Sequence, residues 1–317
     1  MAAGPDDSVY VVDVAREEVL RWSPGEGFFD VAGNGHRGFS GDGRPATKAE
    51  FNLTWGSALA VGRNGTLYIC DSGNDRIRAV RPDGTVETIV GGGRTPLNGP
   101  SGLARSVSLG SGALLSGLAM GPDGELYIGA GAGVYRLDAS RLTRVVGVDP
   151  ATYRWPPPPY DYDTPLPIRF DGATRLAFDG RGDLVVGSGD TYSAYELTAT
   201  GRRRGLGNIR GDGSVAPLAE APNGEVLVGT GRGGASLEWL SPEGRFAPVA
   251  GLGDWDSLTS PLDKALGGKN YFRPSNGVAV NQAGVVFVDT DIGNAWTNVS
   301  AIVEVPSKAV VRAIWRS

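Results

Sequence analysis

The stretch that decides the fold runs from Leu59 to Val80 and reads LAVGRNGTLYICDSGNDRIRAV. It opens with a small apolar strand, turns at Asn64 and Gly65, and continues with a second, more hydrophobic strand. A tight hairpin that matches the strand twist needs positive φ at its centre, which glycine reaches without steric cost and asparagine tolerates. The stretch therefore predicts a β-hairpin.

The same pattern is found six times along the chain. The copies begin at Met1, Leu59, Leu118, Leu176, Leu218 and Val278. Four of them carry Asp-Gly, Asn-Gly or Arg-Gly at the turn. A second pair of strands follows, as in IRAVRPDGTVETIVG from Ile77, so each unit is predicted to contain four strands. The first copy is incomplete, because Met1 falls partway along its innermost strand.

Units of this kind, repeated every 42 to 60 residues or so, are typical of propeller blades, and radial closure removes long exposed sheet edges. We predict an all-β fold, a six-bladed β-propeller of four-stranded antiparallel blades in one domain over 1–317. An open solenoid is the alternative, but solenoid repeats are usually shorter and need polar caps. The chain could also be part of a longer protein. The blades are expected at about 1–33, 56–92, 115–148, 173–208, 214–251 and 275–317.

Composition excludes several other classes of protein. The net charge of -5 and the pI of about 5.1 give no field that would attract nucleic acid or an anionic membrane. No run of 18 apolar residues is present, so membrane insertion is not expected. One cysteine, Cys70, excludes an internal disulfide and is predicted to be a buried strand thiol. One histidine, His36, excludes a three-histidine zinc centre.

Around the deciding stretch the chain resembles the NHL-repeat family of bacterial β-propellers. A glycine-rich linker from Val31 precedes the hairpin, and the element Asp-x-x-Asn-x-Arg-Ile follows it as Asp71, Asn74, Arg76 and Ile77. The resemblance covers about 60 residues and weakens through the other copies. It implies that the short polar side chains turn the backbone and that the arginine pairs with a carboxylate. Contact with a ligand is the alternative role for the same set.

The linkers between the predicted blades are long, at 33–55, 91–115, 147–173 and 251–276. In a propeller these linkers lie on one face, and loops beyond about 15 residues are usually functional or disordered. Aromatic residues concentrate in them or in a turn that opens on the same face, which favours a ligand-binding surface. An alternative is that these rings hold their own loops onto the propeller. The predicted ligand-binding residues are Trp55, Trp155, Tyr160, Trp255, Tyr271 and Trp296.

A metal site in the central channel is a second hypothesis. Six-bladed relatives of this kind include lactonases, other metal-dependent hydrolases and lyases, and the resemblance implies a calcium-like ion held by Asn, Asp and Glu oxygens. Asn276, followed by Gly277 and Asp289, matches part of that pattern, and Asp13 and Asp71 could contribute. Asp13 occupies the position of Asp71 in the first copy, whereas Asp289 comes one residue early in the last. No other cofactor is implied.

Two functions follow from the sequence. The first is a binding or scaffold propeller that contacts a protein, peptide or glycan through its aromatic-rich linker face. The second is a metal-dependent hydrolase or lyase with its site at the mouth of the channel. We expect a monomer, and an extracellular or periplasmic location is favoured although the chain carries no signal peptide.

Overall fold

The computed structural model describes residues 1–54, 56–97, 99–109, 115–130, 133–147, 174–188, 193–198, 203–206, 216–230, 236–249, 277–292, 299–305 and 312–316. Successive antiparallel sheets follow one another along the chain. The first sheet contains β1 (Ala2–Ala3), β2 (Val9–Asp13), β3 (Glu18–Ser23) and β4 (Gly27–Ala32). The second contains β5 (Arg44–Pro45), β6 (Leu59–Val61), β7 (Leu67–Asp71), β8 (Arg76–Val80) and β9 (Thr85–Gly91).

The linker before the third sheet contains three short strands. Two of them pair with each other, and the third forms an edge strand of the sheet. A parallel pair joins β10 (Thr95–Pro96) and β12 (Val107–Ser108). The sheet itself contains β11 (Ser101–Leu103), β13 (Leu115–Met120), β14 (Leu126–Ala130), β15 (Gly133–Asp138) and β16 (Arg141–Gly147). The fourth contains β17 (Thr174–Phe178), β18 (Leu184–Ser188), β19 (Ser193–Leu197) and β20 (Arg203–Gly205).

Two further four-stranded sheets complete the described chain. The fifth contains β21 (Ala216–Glu220), β22 (Val226–Thr230), β23 (Ser236–Leu240) and β24 (Phe246–Pro248). The sixth contains β25 (Gly277–Val280), β26 (Val286–Ile292), β27 (Val299–Val305) and β28 (Arg312–Arg316). The helices of the described residues are 3-10 turns, Ala46–Lys48 and Ser72–Asn74, and no helix among those residues is long and apolar enough to cross a bilayer.

The predicted hairpins form because a residue with positive φ occupies the same place in each first turn. Glycine takes it in the second to sixth sheets, with φ between 75° and 82°. In the incomplete first copy Asp7 takes it instead, with φ 61°, and the amide of Gly4 still donates to the carbonyl of Ser8 at 2.8 Å. The first hairpin is therefore kept, although β1 has only two residues.

The sheets are arranged around a central axis. The innermost strands contact one another in the order β1, β6, β13, β17, β21 and β25, and β25 contacts β1 again. The amide of Ala283 also donates to Asp7 Oδ1 at 2.9 Å, which joins the last sheet to the first. The ring confirms the predicted all-β propeller fold.

Apolar clusters between neighbouring sheets form the core. Phe51, Leu59 and Ile69 are buried between the first and second sheets, and Ile77 and Ile128 between the second and third. Such clusters cover both faces of each of the first four sheets, which stabilises a ring of otherwise separate sheets. The thiol of Cys70 belongs to this core, and burial raises its pKa to about 12. The prediction of a buried strand thiol is confirmed.

The linkers differ from the prediction in one respect. They were expected as loops on one face and the blades as four-stranded, but Arg44–Pro45 pairs with β9 and Ser101–Leu103 pairs with β16. Each segment adds a fifth, outermost strand to its sheet. The physical reason is that an outer strand exposes unpaired N–H and C=O groups, which a passing linker can bond.

Candidate functional site

Two faces of the propeller follow from the strand directions. The first hairpin of each sheet, between its innermost and second strands, lies on what we call the turn face. The ends of the second strands, such as Asp13 in β2 and Asp71 in β7, lie on the opposite face, which we call the linker face. The first linker is described over 33–54 and forms part of the linker face.

Backbone bonds and apolar side chains hold the first linker against the first two sheets. The amide of Gly33 donates to the carbonyl of Ala46 at 3.0 Å, and the amide of Gly38 donates to that of Phe51 at 2.9 Å. Phe51 and Leu53 have no exposed surface. The linker is long, but it is folded as an ordered part of the propeller.

The main polar anchor of the first linker is Arg78 in the middle of β8, which has no exposed surface. Its Nη2 donates to the carbonyl of Ser40 at 2.9 Å and to Asp42 Oδ1 at 3.0 Å. Its Nη1 lies 3.4 Å from Asp71 Oδ2, and its guanidinium carbon lies 4.9 Å from the ring centroid of Phe51. A buried cation needs such partners, so the linker and Arg78 stabilise each other.

Asp71 completes this anchor from the end of β7. Its Oδ1 accepts the amide of Asn52 at 2.8 Å, and Asn74 Nδ2 lies 2.9 Å from each carboxylate oxygen. Burial raises the pKa of Asp71, against the opposing effects of Asn52, Asn74 and Arg78. Asn74 Nδ2 also donates to the carbonyl of Gly38 at 2.7 Å, so the turn after β7 binds the linker directly.

The resemblance implied that Arg76 would pair with a carboxylate, and the structure gives that role to Arg78. Arg76 instead lies over the ring of Phe39, 3.9 Å from its centroid, and donates to the carbonyl of Asn74 at 2.6 Å. The two arginines are two positions apart in one strand and so share a face, with Arg78 deeper in the sheet. The sequence did contain a signal for this role, because the segment RIR places a second arginine, Arg78, two residues after Arg76.

The anchored linker and the start of β8 together present a group of surface side chains, which we call the Phe39 platform: His36, Arg37, Phe39 and the partly exposed Arg76. Phe39 is 43% exposed, and Arg76 supports one side of its ring. Arg37 is exposed, but its Nε donates to Glu17 at 2.6 Å. Glu17 is itself buried and accepts the amide of Leu53 at 2.6 Å, so this ion pair also holds the platform to the first sheet.

A cavity of about 670 Å³ occupies the central channel. All innermost strands line it, and it reaches the hairpins of the turn face at Arg63, Pro122, Asp179, Pro222 and Gln282. Each innermost strand pairs on one side only, so its other backbone edge faces the axis. Partial burial at the channel, with a contribution from Asp179, raises the pKa of Glu220 to about 7, and Arg63 opposes the shift.

An acidic cluster lies beside this cavity in the fourth sheet. Carboxylate oxygens of Asp179, Asp183 and Glu196 lie within 4.8 Å of one another, a spacing that could hold a metal ion. The guanidinium of Arg181 fills that role here, 3.2 Å from Asp179 and 2.6 Å from Glu196. Asp179 Oδ1 also accepts the amides of Arg181 and Asp183, each at 2.9 Å. The cluster is therefore a satisfied structural network.

Most of the predicted site residues lie outside the described residues. These are Trp55, Trp155, Tyr160, Trp255, Tyr271, Trp296 and Asn276. Asp289 belongs to β26, where it pairs with Gly277 of β25. Asp13 Oδ1 accepts the amide of Arg16 at 3.0 Å, and both oxygens of Asp71 have donors. Sequence reasoning missed Arg78, the Phe39 platform and the charged residues of the channel.

Comparison with solved structures gives similarity of fold. A virginiamycin B lyase from Staphylococcus aureus superposes with a TM-score of 0.55 at 9% identity, over 98% of this chain and 81% of that chain. A streptogramin B lyase gives 0.51 at 12% identity, over 90% and 74%. A gluconolactonase from Xanthomonas campestris gives 0.52 at 15% identity, over 90% and 80%. No protein-family model and no curated protein sequence matches this chain.

These likenesses support the β-propeller fold and, at such low identity, nothing finer. Membership of the NHL-repeat family stays a prediction. Function must therefore be argued from the residues of this chain.

Proposed function

We propose that this chain is a six-bladed, NHL-like propeller scaffold that binds a protein, peptide or glycan on its linker face. The observation that carries the proposal is the buried anchor of the first linker, in which Arg78 holds Ser40 and Asp42 beneath the exposed ring of Phe39. The aromatic residues Trp155 and Trp255 of the later linkers would extend the same surface.

Preorganisation is the physical argument. A loop that is ordered before binding loses little conformational entropy when a partner arrives, so more of the contact energy is retained as affinity. Aromatic and arginine side chains contribute most to such interfaces. The Phe39 platform offers both, with the ring of Phe39 set over the guanidinium of Arg76.

The test uses a phage-displayed peptide library and a glycan array as probes. Wild-type protein should enrich a defined peptide or glycan, and Phe39→Ala should weaken its affinity by about ten-fold or more, the range of an interface hot spot. Leu103→Ala is the matched control, because Leu103 is 56% exposed at the outer edge of the third sheet. Failure of wild-type protein to enrich any probe, or equal losses in both variants, would contradict the proposal.

A metal-dependent hydrolase or lyase is the second candidate, favoured by the fold similarity to lyases and a gluconolactonase. Its calcium-like ion would be held by Asn276, Asp289 and Asp13. Asp71 fits poorly, because both of its oxygens already accept hydrogen bonds. Elemental analysis of chelator-free protein, with melting measured with and without calcium, tests this candidate. An absence of both bound ion and calcium-dependent stabilisation would exclude it.

A further inference from the structure

The turn-face end of the central channel carries charged groups that neither candidate function uses. Arg63 follows β6 in the second sheet, and Glu220 ends β21 in the fifth. In the order of the ring these two sheets are separated by two others on either side, so the two residues lie across the axis from each other. Both line the cavity of about 670 Å³, within the range of roughly 300–1,000 Å³ typical of small-molecule sites.

Neither side chain has a hydrogen bond or an ion pair with another residue in the part of the chain that the structure describes. Asp179, which also lines the cavity, differs because Arg181 and two backbone amides satisfy its oxygens. Among the described residues that line it, the channel thus presents one cation and one carboxylate that are unpaired and of opposite sign at its turn-face end. Charged groups held at a partly enclosed site gain more from a ligand than the same groups in bulk water.

We propose that the turn-face end of the channel binds a small zwitterion, a free amino acid or a dipeptide, whose ammonium group pairs with Glu220 and whose carboxylate pairs with Arg63. A simple anion would gain from Arg63 but be repelled by Glu220, and a metal ion would meet only one free carboxylate. The unpaired backbone edges of the innermost strands offer further hydrogen bonds to a peptide group. This site lies on the face opposite the Phe39 platform and does not depend on the function proposed for it.

The electrostatics of Glu220 make binding sensitive to pH. The groups that face it are Asp179, which together with burial raises its pKa to about 7, and Arg63, which lowers it. A bound ammonium group would favour the ionised carboxylate and so lower that pKa. Binding at about pH 6, where the α-amino group of the ligand is fully protonated, should therefore release protons.

The test is calorimetric titration with the dipeptide L-alanyl-L-leucine, with its N-acetylated form and with its C-terminal amide. Wild-type protein should bind the dipeptide at millimolar concentration or below, and each modified form should bind about ten-fold more weakly, since each loses one charged hydrogen bond. Glu220→Gln should weaken the dipeptide by a similar factor but leave the N-acetylated form unaffected. Arg63→Gln should likewise weaken binding of the dipeptide but leave binding of its C-terminal amide unaffected.

The two control variants alter charged residues in turns of the same two sheets. Glu225→Gln removes a carboxylate outside the cavity, and Arg81→Gln removes a guanidinium at the second hairpin of the same sheet. Both should bind the dipeptide as wild type does. The proposal would be overturned if neither L-alanyl-L-leucine nor any of the common L-amino acids bound, or if Glu220→Gln weakened the N-acetylated form as much as the dipeptide. Heats that are equal in buffers of different ionisation enthalpy at about pH 6 would also overturn it.

Discussion

Arg78 and Asp71 form an ion pair in which neither side chain has exposed surface, with Nη1 3.4 Å from Oδ2. The same guanidinium binds the carbonyl of Ser40 and the carboxylate of Asp42, so one residue of β8 connects the second sheet to the first linker. Stability and the shape of the linker face are therefore coupled through this residue.

Arg78→Met should lower the free energy of unfolding by about 3–5 kcal/mol, because it leaves the carboxylate of Asp71 buried beside an apolar side chain. Urea unfolding at neutral pH measures the loss. Arg76→Met is the control and should cost less than about 1 kcal/mol, since its main contact is with the ring of the half-exposed Phe39. In the double variant Arg78→Met with Asp71→Asn, the loss should be smaller than the sum of the two single losses. Additive losses would show that the two side chains are not coupled.

Gly224 should be far less tolerant of a side chain than Gly84, although both have φ of +82°. A Cβ at Gly224 would lie 2.5 Å from the Cα of Gly180, whose amide donates to the carbonyl of Gly224 at 2.8 Å; a Cβ at Gly84 would meet nothing within 4 Å. Gly84→Ala should cost the roughly 1–2 kcal/mol of the left-handed conformation. Gly224→Ala should cost about 1–3 kcal/mol more because two hairpins must separate. Equal melting temperatures for the two variants would contradict this contact.

The repeated hairpins could be predicted because their cause is local. A glycine at a fixed place between two apolar runs determines the turn, and even the first copy, with Asp7 in that place, keeps the hairpin. The fifth strands could not be predicted in the same way. Arg44–Pro45 and Ser101–Leu103 are too short to show a strand period, and they pair only because a sheet edge lies beside them.

The candidate sites depend on contacts between distant parts of the chain, which periodicity does not reveal. Arg78 is recognisable as an anchor only once Ser40 and Asp42 are known to reach it. Arg63 and Glu220 become a pair only when the ring brings the second and fifth sheets to opposite sides of one cavity. The sequence did supply the resemblance around Asp71, but it indicated Arg76 for a role that the neighbouring Arg78 fills.

Arg181→Gln should destabilise the fourth sheet by about 1–3 kcal/mol at neutral pH, because the closely spaced carboxylates of Asp179, Asp183 and Glu196 lose their shared cation. This cost is lower than that of breaking a fully buried ion pair, because the guanidinium of Arg181 is half-exposed. Arg245→Gln removes an exposed ion pair with Glu243 and should leave stability nearly unchanged, because solvent screens such a pair. Urea unfolding at neutral pH measures both variants, and equal losses in Arg181→Gln and Arg245→Gln would contradict the expectation.

Glu220→Gln should flatten the pH dependence of stability in one window. The folded pKa of Glu220 is raised from 4.5 to about 7 by burial and by Asp179, so the folded protein keeps a proton that the unfolded chain has already lost between these values. Stability from this group is therefore greatest below pH 4.5 and falls as the pH rises through that window. In Glu220→Gln this fall should be absent, which thermal melting at pH 5, 6 and 7 detects as a smaller decline than in wild type. Glu225→Gln alters the same hairpin outside the channel, and its melting temperature should fall with pH as that of wild type does. If the melting temperatures of Glu220→Gln and Glu225→Gln fall equally, the raised pKa of Glu220 is wrong.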